Sequence, residues 1–200
     1  MIVCEAVPQH PDFRDLRCLP EVLVDIRYAT PDNFSGRNLY GNLDCAWLRE
    51  PAATGLARAA QWLARNRPGW RLRVLDALRP QRVQEAIWRD VANTPMSRYF
   101  ADPARGSIHS YGMAVDVTLV GPHGQESDMG SAYDEMNERS HPEFDARHLA
   151  LGVLNAQQVA DRGWLYEAMA QGGFQGIATE WWHFDHGDRD RVRQELPRVV

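Results

Sequence analysis

The sequence contains no lysine, so all 22 of its basic residues are arginines. This absence excludes any mechanism that depends on a lysine nucleophile or a Schiff base. The 27 acidic residues give a net charge of −5, and the arginines form no basic block. Because a nucleic-acid surface requires clustered positive charge, we do not expect a nucleic-acid partner.

Cysteine is also scarce. The three cysteines, Cys4, Cys18 and Cys45, are odd in number, and no two of them form a C-x-x-C pair. This pattern argues against a disulfide framework. It argues equally against a zinc site built from thiolates.

Long apolar runs are missing as well. No segment approaches 18 consecutive apolar residues, so we expect no membrane partner. Residues 1–13 lack a charged region followed by a long apolar stretch, which a secretory signal would require. We therefore expect a cytoplasmic protein, with the periplasm as the alternative if an export signal has been removed. The sequence gives no indication of the oligomeric state.

The composition is that of a globular protein. The chain has 200 residues, of which 44% are apolar and 24% charged. This length suits one domain spanning residues 1–200. A chain of this size can bury a core without metal or disulfide cross-links. A metal site in it would therefore be expected to serve catalysis rather than folding.

The hydrophobic periodicity predicts both strands and helices. Strands are predicted at 22–28, 70–75, 114–120 and 177–185. Helices are predicted at 51–66, 81–92 and 145–171, the last broken near Gly152 and Gly163. Because strands and helices do not alternate regularly, we expect an α+β fold, with a mostly antiparallel sheet and flanking helices. Residues 121–142 are polar and irregular, and long loops of this kind are usually functional or disordered.

Two short segments contain residues that could bind a metal ion or transfer protons. Residues 107–116 read SIHSYGMAVD, and residues 180–183 read EWWH. Two histidines and a carboxylate, His109, Asp116 and His183, suit a catalytic zinc ion that keeps a fourth position for water. Zinc can lower the pKa of such a water to about 7. Glu180, three residues before His183, is better placed as a general base than as a ligand.

Other interpretations of these residues must be weighed. Most histidines are structural or merely exposed, and this chain has seven. His141 and His186 are competing candidates for metal ligands. Asp116 could be a turn residue, but its apolar neighbours predict an acid inside a strand, which needs a partner. By spacing alone, Arg79 would form a surface salt bridge at the start of a helix.

The pattern S-x-H-x-x-G-x-A-x-D followed by E-x-W-H resembles the D-alanyl-D-alanine dipeptidases, the zinc dipeptidases of the vancomycin-resistance type. Further segments match the family in the same order over roughly residues 22–185: Asp25–Thr30 with Asn33-Phe34, Asp76–Pro80, Asp128–Asp134 and Gly173-Phe174. The chain has Ser140-His141-Pro142 where the family often shows Ser-His-His.

The resemblance implies a fold of the hedgehog/DD-peptidase type and one zinc ion per chain. It implies the following roles: His109, Asp116 and His183 as zinc ligands, Glu180 as catalytic base, Arg79 as the group that stabilises the transition state, and Ser107, Asp134 and Tyr28 as substrate-binding residues. The expected function is zinc-dependent hydrolysis of the dipeptide D-Ala-D-Ala. No Ser-His-Asp order or nucleophile elbow surrounds Ser107, so we do not expect it to be a nucleophile.

Two alternatives remain open. One is a peptidoglycan D,D- or L,D-carboxypeptidase or endopeptidase on the same fold, which would need an open groove for a longer peptide. The other is a zinc-binding interaction module without catalysis. The presence of both Glu180 and Arg79 favours an enzyme. Antibiotic resistance, cell-wall recycling and the use of D-alanine as a nutrient are not distinguished by the sequence.

Overall fold

Seven strands form two sheets in the computed structural model, which describes all 200 residues. The strands in chain order are β1 (Phe13–Asp15), β2 (Val22–Val24), β3 (Trp47–Arg49), β4 (Arg71–Asp76), β5 (Ala114–Val120), β6 (Phe174–Gly176) and β7 (His183–His186). Strands β1 and β3 form a small antiparallel pair. The other five form the main sheet, in the order β2-β4-β5-β7-β6.

The main sheet is mostly antiparallel. Only β2 and β4 run parallel, whereas β4-β5, β5-β7 and β6-β7 are antiparallel pairs. Together with the helices, this confirms the α+β architecture predicted from the sequence. The central strand β5 is buried along its whole length, which explains why five of its seven residues are apolar.

Five helices accompany the sheets. They are α1 (Glu50–Asn66), α2 (Gln81–Val91), α3 (Asp145–Ala150), α4 (Ala156–Gln171) and α5 (Arg189–Glu195). Helices α1 and α4 pack against each other and against the main sheet, where Leu56 and Leu165 join Val117 in the larger core cluster. Where the two helices approach most closely, a Cβ on Gly55 would lie 2.5 Å from the carbonyl oxygen of Gly172, so the packing requires glycine.

The predicted break at Gly163 is wrong, whereas the break near Gly152 is present. Gly163 lies inside α4, and an added Cβ there would meet nothing within 4 Å. A single glycine costs a helix only about 1 kcal/mol. The helix offsets this cost at its start, because Asn155 and Gln158 form a reciprocal capping box.

Two predicted strands are shorter than the sequence suggested. The first ends at Val24, and residues 27–29 form a 3-10 turn. Residues 177–182 are not a strand but the connection between β6 and β7, so Glu180 lies on a loop. Trp181 and Trp182 are both buried, although neighbouring residues of a strand would point to opposite faces. Burial of both indoles inside the fold accounts for the apolar character that had suggested a strand.

The irregular segment of residues 121–142 is held against α4. Arg162 is fully buried, and its guanidinium donates hydrogen bonds to the carbonyl oxygens of Met129 and Arg139, at 2.8 and 2.7 Å. A buried arginine that bridges two backbone sites fixes the path of the loop between them. Asp134 lies within that loop. None of the helices combines the length and the hydropathy that a membrane span would need.

Candidate metal centre and active site

Strand pairing aligns three polar residues across the middle of the main sheet. Asp116 lies opposite Asp76 on β4 and opposite His183 on β7. Side chains at paired positions share one face of a sheet, with Cβ atoms about 4.5–5.5 Å apart. Because side chains alternate along β5, Val115 and Val117 face the apolar core while Asp116 faces the other side.

His109 reaches the same place from a short 3-10 helix, Ile108–Tyr111, that precedes β5. The helix ends at Gly112, which has a left-handed backbone (φ 68°). A Cβ at this position would lie 2.8 Å from the ring of Phe13. Glycine is therefore required here on two grounds, and the tight turn allows His109 and Asp116 to converge.

Three ligand atoms from these residues meet at one point. His109 Nε2 lies 3.3 Å from Asp116 Oδ1, and His183 Nδ1 lies 3.0 Å from the same oxygen. The two imidazole nitrogens are 3.1 Å apart. This is the one group of His, Cys, Asp and Glu side chains whose geometry could hold a metal ion.

The outer contacts of both imidazoles determine which nitrogens face the centre. His109 Nδ1 lies 2.7 Å from the carbonyl oxygen of Ala77, so this nitrogen carries the proton and donates it. His183 Nε2 lies 2.9 Å from Asp185 Oδ1 and donates in the same way. The nitrogens that face Asp116 therefore present lone pairs when the rings are neutral. Three lone pairs that converge in a buried place repel one another, and a bound cation would stabilise them.

The donor set fits zinc. Zinc bonds of about 2.0–2.1 Å in a tetrahedral arrangement place neighbouring ligand atoms roughly 3.3 Å apart. The observed separations of 3.0–3.3 Å are close to that value. Two nitrogens and one oxygen leave one position free, as in catalytic zinc sites.

The pKa values also show the demand for positive charge at this point. Burial opposes charge on His183, but the carboxylates of Asp185 and Asp116 outweigh it and raise the pKa of this ring well above its ordinary value. Burial alone would raise the pKa of Asp116, yet His109 and His183 hold it below its usual range. Both shifts show that the surroundings of His183 and Asp116 favour positive charge at this point.

Arg79 lies beside this centre, only 6% exposed. Its Nη2 and Nε donate to Asp76 Oδ2 at 2.7 and 3.1 Å, and Nη1 donates to Gln84 Oε1 at 3.3 Å. Nη2 is also 3.8 Å from Asp116 Oδ2. The guanidinium stacks over the ring of Tyr28, with 4.6 Å between Cζ and the ring centroid. The interpretation of Arg79 as a surface salt bridge is therefore wrong, because its partner is buried.

Glu180 lines the same pocket and is 7% exposed. Its carboxylate accepts no hydrogen bond from the protein. Burial raises the pKa of Glu180 to about 7, with the charge of His183 opposing the shift. A carboxyl group with a pKa near neutrality can both accept and return a proton.

The pocket has a volume of about 170 Å³. This is smaller than the roughly 300–1,000 Å³ typical of sites for drug-sized ligands, so only a small molecule fits inside. Ser107, Tyr28 and Asp134 all line it. The hydroxyl of Tyr28 donates to Asp134 Oδ1 at 3.5 Å, and the N–H of Phe34 donates to Oδ2 at 3.1 Å. Burial raises the pKa of Asp134 well above its ordinary value.

The competing histidines lie elsewhere. His141 Nε2 is 3.1 Å from the hydroxyl of Tyr99, and its ring stacks on Phe144. His186 packs edge-on against Phe174. Neither joins the cluster of three ligands.

Three residues of the site were not identified from the sequence. Asp185 supports His183, Asp76 anchors Arg79, and the hydroxyl of Tyr133 donates to Asp116 Oδ2 at 3.0 Å. Asp185 could have been found, because it lies two positions after His183 and thus on the same face of a strand. Tyr133 lies in the irregular segment of residues 121–142, where no periodicity predicts which way a side chain points.

Comparisons with known proteins identify the family of this chain. The sequence model of a peptidase family described as D-ala-D-ala dipeptidase matches residues 11–200. A D-alanyl-D-alanine dipeptidase of Escherichia coli is 38% identical over 166 residues, which cover 83% of this chain and 79% of the relative. Proteins of the same name from Enterococcus faecalis and Streptomyces coelicolor are 30% and 31% identical, over 80% of this chain and 83% of each relative.

One solved structure, an LD-carboxypeptidase, covers 92% of this chain and 72% of its own, with a TM-score of 0.49 and 18% sequence identity. That similarity is too low to bear on function. The family match and the curated relatives, in contrast, extend over most of the chain. The chain therefore belongs to the D-Ala-D-Ala dipeptidase family of metallopeptidases.

Proposed function

We propose that this protein hydrolyses the dipeptide D-Ala-D-Ala to free D-alanine, as one zinc dipeptidase domain spanning residues 1–200. The observation that carries the proposal is the convergence of His109, Asp116 and His183 in a small pocket that also contains Glu180 and Arg79. The names of the relatives, all D-alanyl-D-alanine dipeptidases, supply the substrate.

One zinc ion per chain would be held by His109 Nε2, Asp116 Oδ1 and His183 Nδ1. When bound, zinc supplies a Lewis acid that polarises a carbonyl oxygen and acidifies water. Asp185 keeps the ring of His183 oriented toward the centre, and Ala77 does the same for His109 through its carbonyl oxygen.

Glu180 acts as the general base. Its carboxylate takes a proton from the attacking water and then delivers that proton to the nitrogen of the leaving D-alanine. The pKa of about 7 suits both steps, because proton transfer is most effective when the pKa lies near the working pH. The absence of a fixed hydrogen-bond partner leaves the carboxylate free to turn between the two positions.

Arg79 stabilises the negative charge that develops on the oxygen of the scissile bond. Its guanidinium is preorganised by Asp76 and Gln84 and therefore needs no rearrangement during the reaction. In a buried site, such a donor interacts more strongly with an oxyanion than with a neutral carbonyl. This difference is what lowers the barrier.

Asp134 binds the free amino end of the substrate. Its carboxylate is buried, and an ammonium group beside it would restore the charged form that burial disfavours. Tyr28 steadies this carboxylate, and Ser107 offers its hydroxyl to the peptide. Recognition of a free amino group would favour a dipeptide over an acylated chain end.

The test is a substrate panel with zinc-loaded protein: D-Ala-D-Ala, L-Ala-L-Ala and N-acetyl-D-Ala-D-Ala, with free alanine as the readout. We expect cleavage of the free D,D-dipeptide alone. Cleavage of the acetylated peptide at an equal rate would assign the protein to carboxypeptidase chemistry. A folded, zinc-loaded protein that cleaves none of the three would rule out the proposed activity.

A further inference from the structure

Four arginines line the pocket, and they differ in how well they are neutralised. They are Arg79, Arg105, Arg189 and Arg193. Arg79 is paired with the buried Asp76, and Arg189 donates to Asp185 Oδ2 at 2.5 Å. Both of these guanidinium groups are thus bound to carboxylates of the protein. The other two are not neutralised to the same degree.

Arg105 has no partner in the protein. It lies on the loop between α2 and β5, and its guanidinium forms neither a hydrogen bond nor an ion pair with any other side chain or carbonyl group. An exposed arginine without a partner is ordinary on an open surface. This one faces a pocket, next to a second arginine.

That second arginine, Arg193, comes from α5. Its Nε lies 3.3 Å from the carbonyl oxygen of Gly106, the residue after Arg105. Its ion pair is with Asp190, at 3.3 Å, whose side chain is 77% exposed. Exposed ion pairs contribute little, so this contact does not neutralise the guanidinium of Arg193, whose side chain is only 14% exposed. Its Nη2 has no acceptor in the protein.

Arg105 and Arg193 also repel each other. Burial, followed by the charge of Arg105, lowers the pKa of Arg193 from its ordinary value. Two like charges held together at a pocket wall are unfavourable unless an anion binds between them. The backbone holds them together, because Arg198 donates to the carbonyl oxygens of Pro103, Ala104 and Arg105 and so fixes the loop.

Asp134 and the two arginines have different neighbours in the pocket wall: Asp134 accepts hydrogen bonds from Tyr28 and Phe34, whereas Arg193 donates to Gly106, the residue after Arg105. The charges that shift the pKa of Asp134 most are those of Asp116, Arg79 and Glu180, all near the metal ligands. The groups that shift the pKa of Arg193, besides its burial, are Arg105, Asp190, Tyr111 and Arg189. The pocket thus contains the metal centre, the carboxyl group of Asp134, and two arginines, Arg105 and Arg193, that no buried carboxylate neutralises.

We propose that Arg105 and Arg193 form a subsite for the terminal carboxylate of the substrate. This inference rests on the proposed function, since it assigns the carboxyl end of the same dipeptide. Arginine suits the role because its planar fork matches a carboxylate. Ser107, two residues after Arg105 and buried at the pocket wall, is placed to donate to the same group. The dipeptide is a zwitterion, so its ammonium group would lie at Asp134 and its carboxylate at Arg105 and Arg193.

The test measures binding, so that it does not depend on turnover. The zinc-loaded E180Q protein is titrated by calorimetry with D-Ala-D-Ala and with its C-terminal amide, which lacks the negative charge. The variants R105A and R193A are compared in that background. R191A is the matched control, because Arg191 lies on the same helix α5 with 74% of its side chain exposed and does not line the pocket.

We expect R105A and R193A each to weaken binding of the acid by about tenfold and to leave binding of the amide unchanged. We expect R191A to change the binding of neither ligand. R105A is the cleaner variant, because Arg105 has no structural contact to lose. Equal losses for acid and amide, or no loss for either, would refute the subsite. If wild-type protein cleaves the dipeptide but these variants bind it normally, only the subsite is refuted.

Two further outcomes separate the subsite from the activity. Selective binding of the acid that depends on Arg105, without cleavage by wild-type protein, would support the subsite and reject the dipeptidase. A folded, zinc-loaded protein that binds neither acid nor amide would reject both.

Discussion

Asp116 on β5 lies directly opposite His183 on β7, with 3.0 Å between Oδ1 and Nδ1. The antiparallel register alone places these two groups together, since a shift of one residue would turn one of them into the apolar core. His109 then completes the set from the turn that leads into β5. Two of the three candidate ligands are thus fixed by the sheet, and the third by a glycine turn.

Asp185 should determine the affinity for the metal without touching it. We expect Asp185→Asn to weaken zinc binding by about 10- to 100-fold, because His183 loses the carboxylate that orients its ring. Competition with a chromophoric chelator measures this change. Glu195→Gln is the control, since it removes an exposed carboxylate on neighbouring α5. Unchanged affinity in the Asp185 variant would show that the ring needs no such support.

Glu180 should set the acid limb of the pH profile. Because the carboxylate is the active form, kcat/KM should rise with pH, by about tenfold per unit below the pKa. The pKa of about 7 applies without a metal ion, and a bound cation favours the carboxylate, so the limb should lie at or below pH 7. Glu180→Gln should lose about 100- to 10,000-fold in kcat while still binding zinc. An acid limb that persists in this variant would have to come from another group.

Arg79 should act in the transition state. We expect Arg79→Ala to lower kcat by about 100- to 1,000-fold with the zinc content unchanged. This variant leaves Asp76 buried without its partner, and loss of one member of a buried pair costs about 3–5 kcal/mol. Denaturant unfolding must therefore accompany the kinetics. If Arg79→Ala is folded and nearly as active as wild type, Arg79 has no part in the mechanism.

Asp134 should select for a free amino end. Asp134→Asn keeps the shape of the side chain but removes the charge, so KM for D-Ala-D-Ala should rise by about tenfold or more. The ratio of kcat/KM for the free and the N-acetylated dipeptide should fall toward one. The measurement is a comparison of both substrates in both proteins. A ratio equal to that of wild type would assign amino-end recognition to other groups.

The sequence predicts some parts of this architecture better than others. The sequence predicts strand β5 with its observed bounds, because five of its seven residues are apolar and the segment stands between Gly112 and Gly121. The pattern before His183 predicts a strand, because Trp181 and Trp182 are apolar and buried, as they would be in a strand, although they lie on a loop. Periodicity reports burial, and it cannot distinguish these two structures in so short a segment.

In the site, too, some features can be predicted from the sequence and others cannot. The residues proposed as ligands stand in two short motifs, and the resemblance to the family implies their roles from the sequence alone. The arrangement of Arg105 and Arg193 was not foreseen, because they are 88 positions apart in the chain and meet only through the packing of α5 beside a loop. Contacts of this kind depend on tertiary structure, for which local sequence carries no signal.

The most direct test of the central claim is reversible chelation. Hydrolysis of D-Ala-D-Ala is measured on the protein as purified, after removal of metal with a chelator, and after return of one equivalent of zinc, with Asp116→Ala carried through the same steps. We expect activity that disappears with the metal, returns with zinc at one ion per chain, and never appears in the variant. Full activity in protein shown to be metal-free would contradict the central claim.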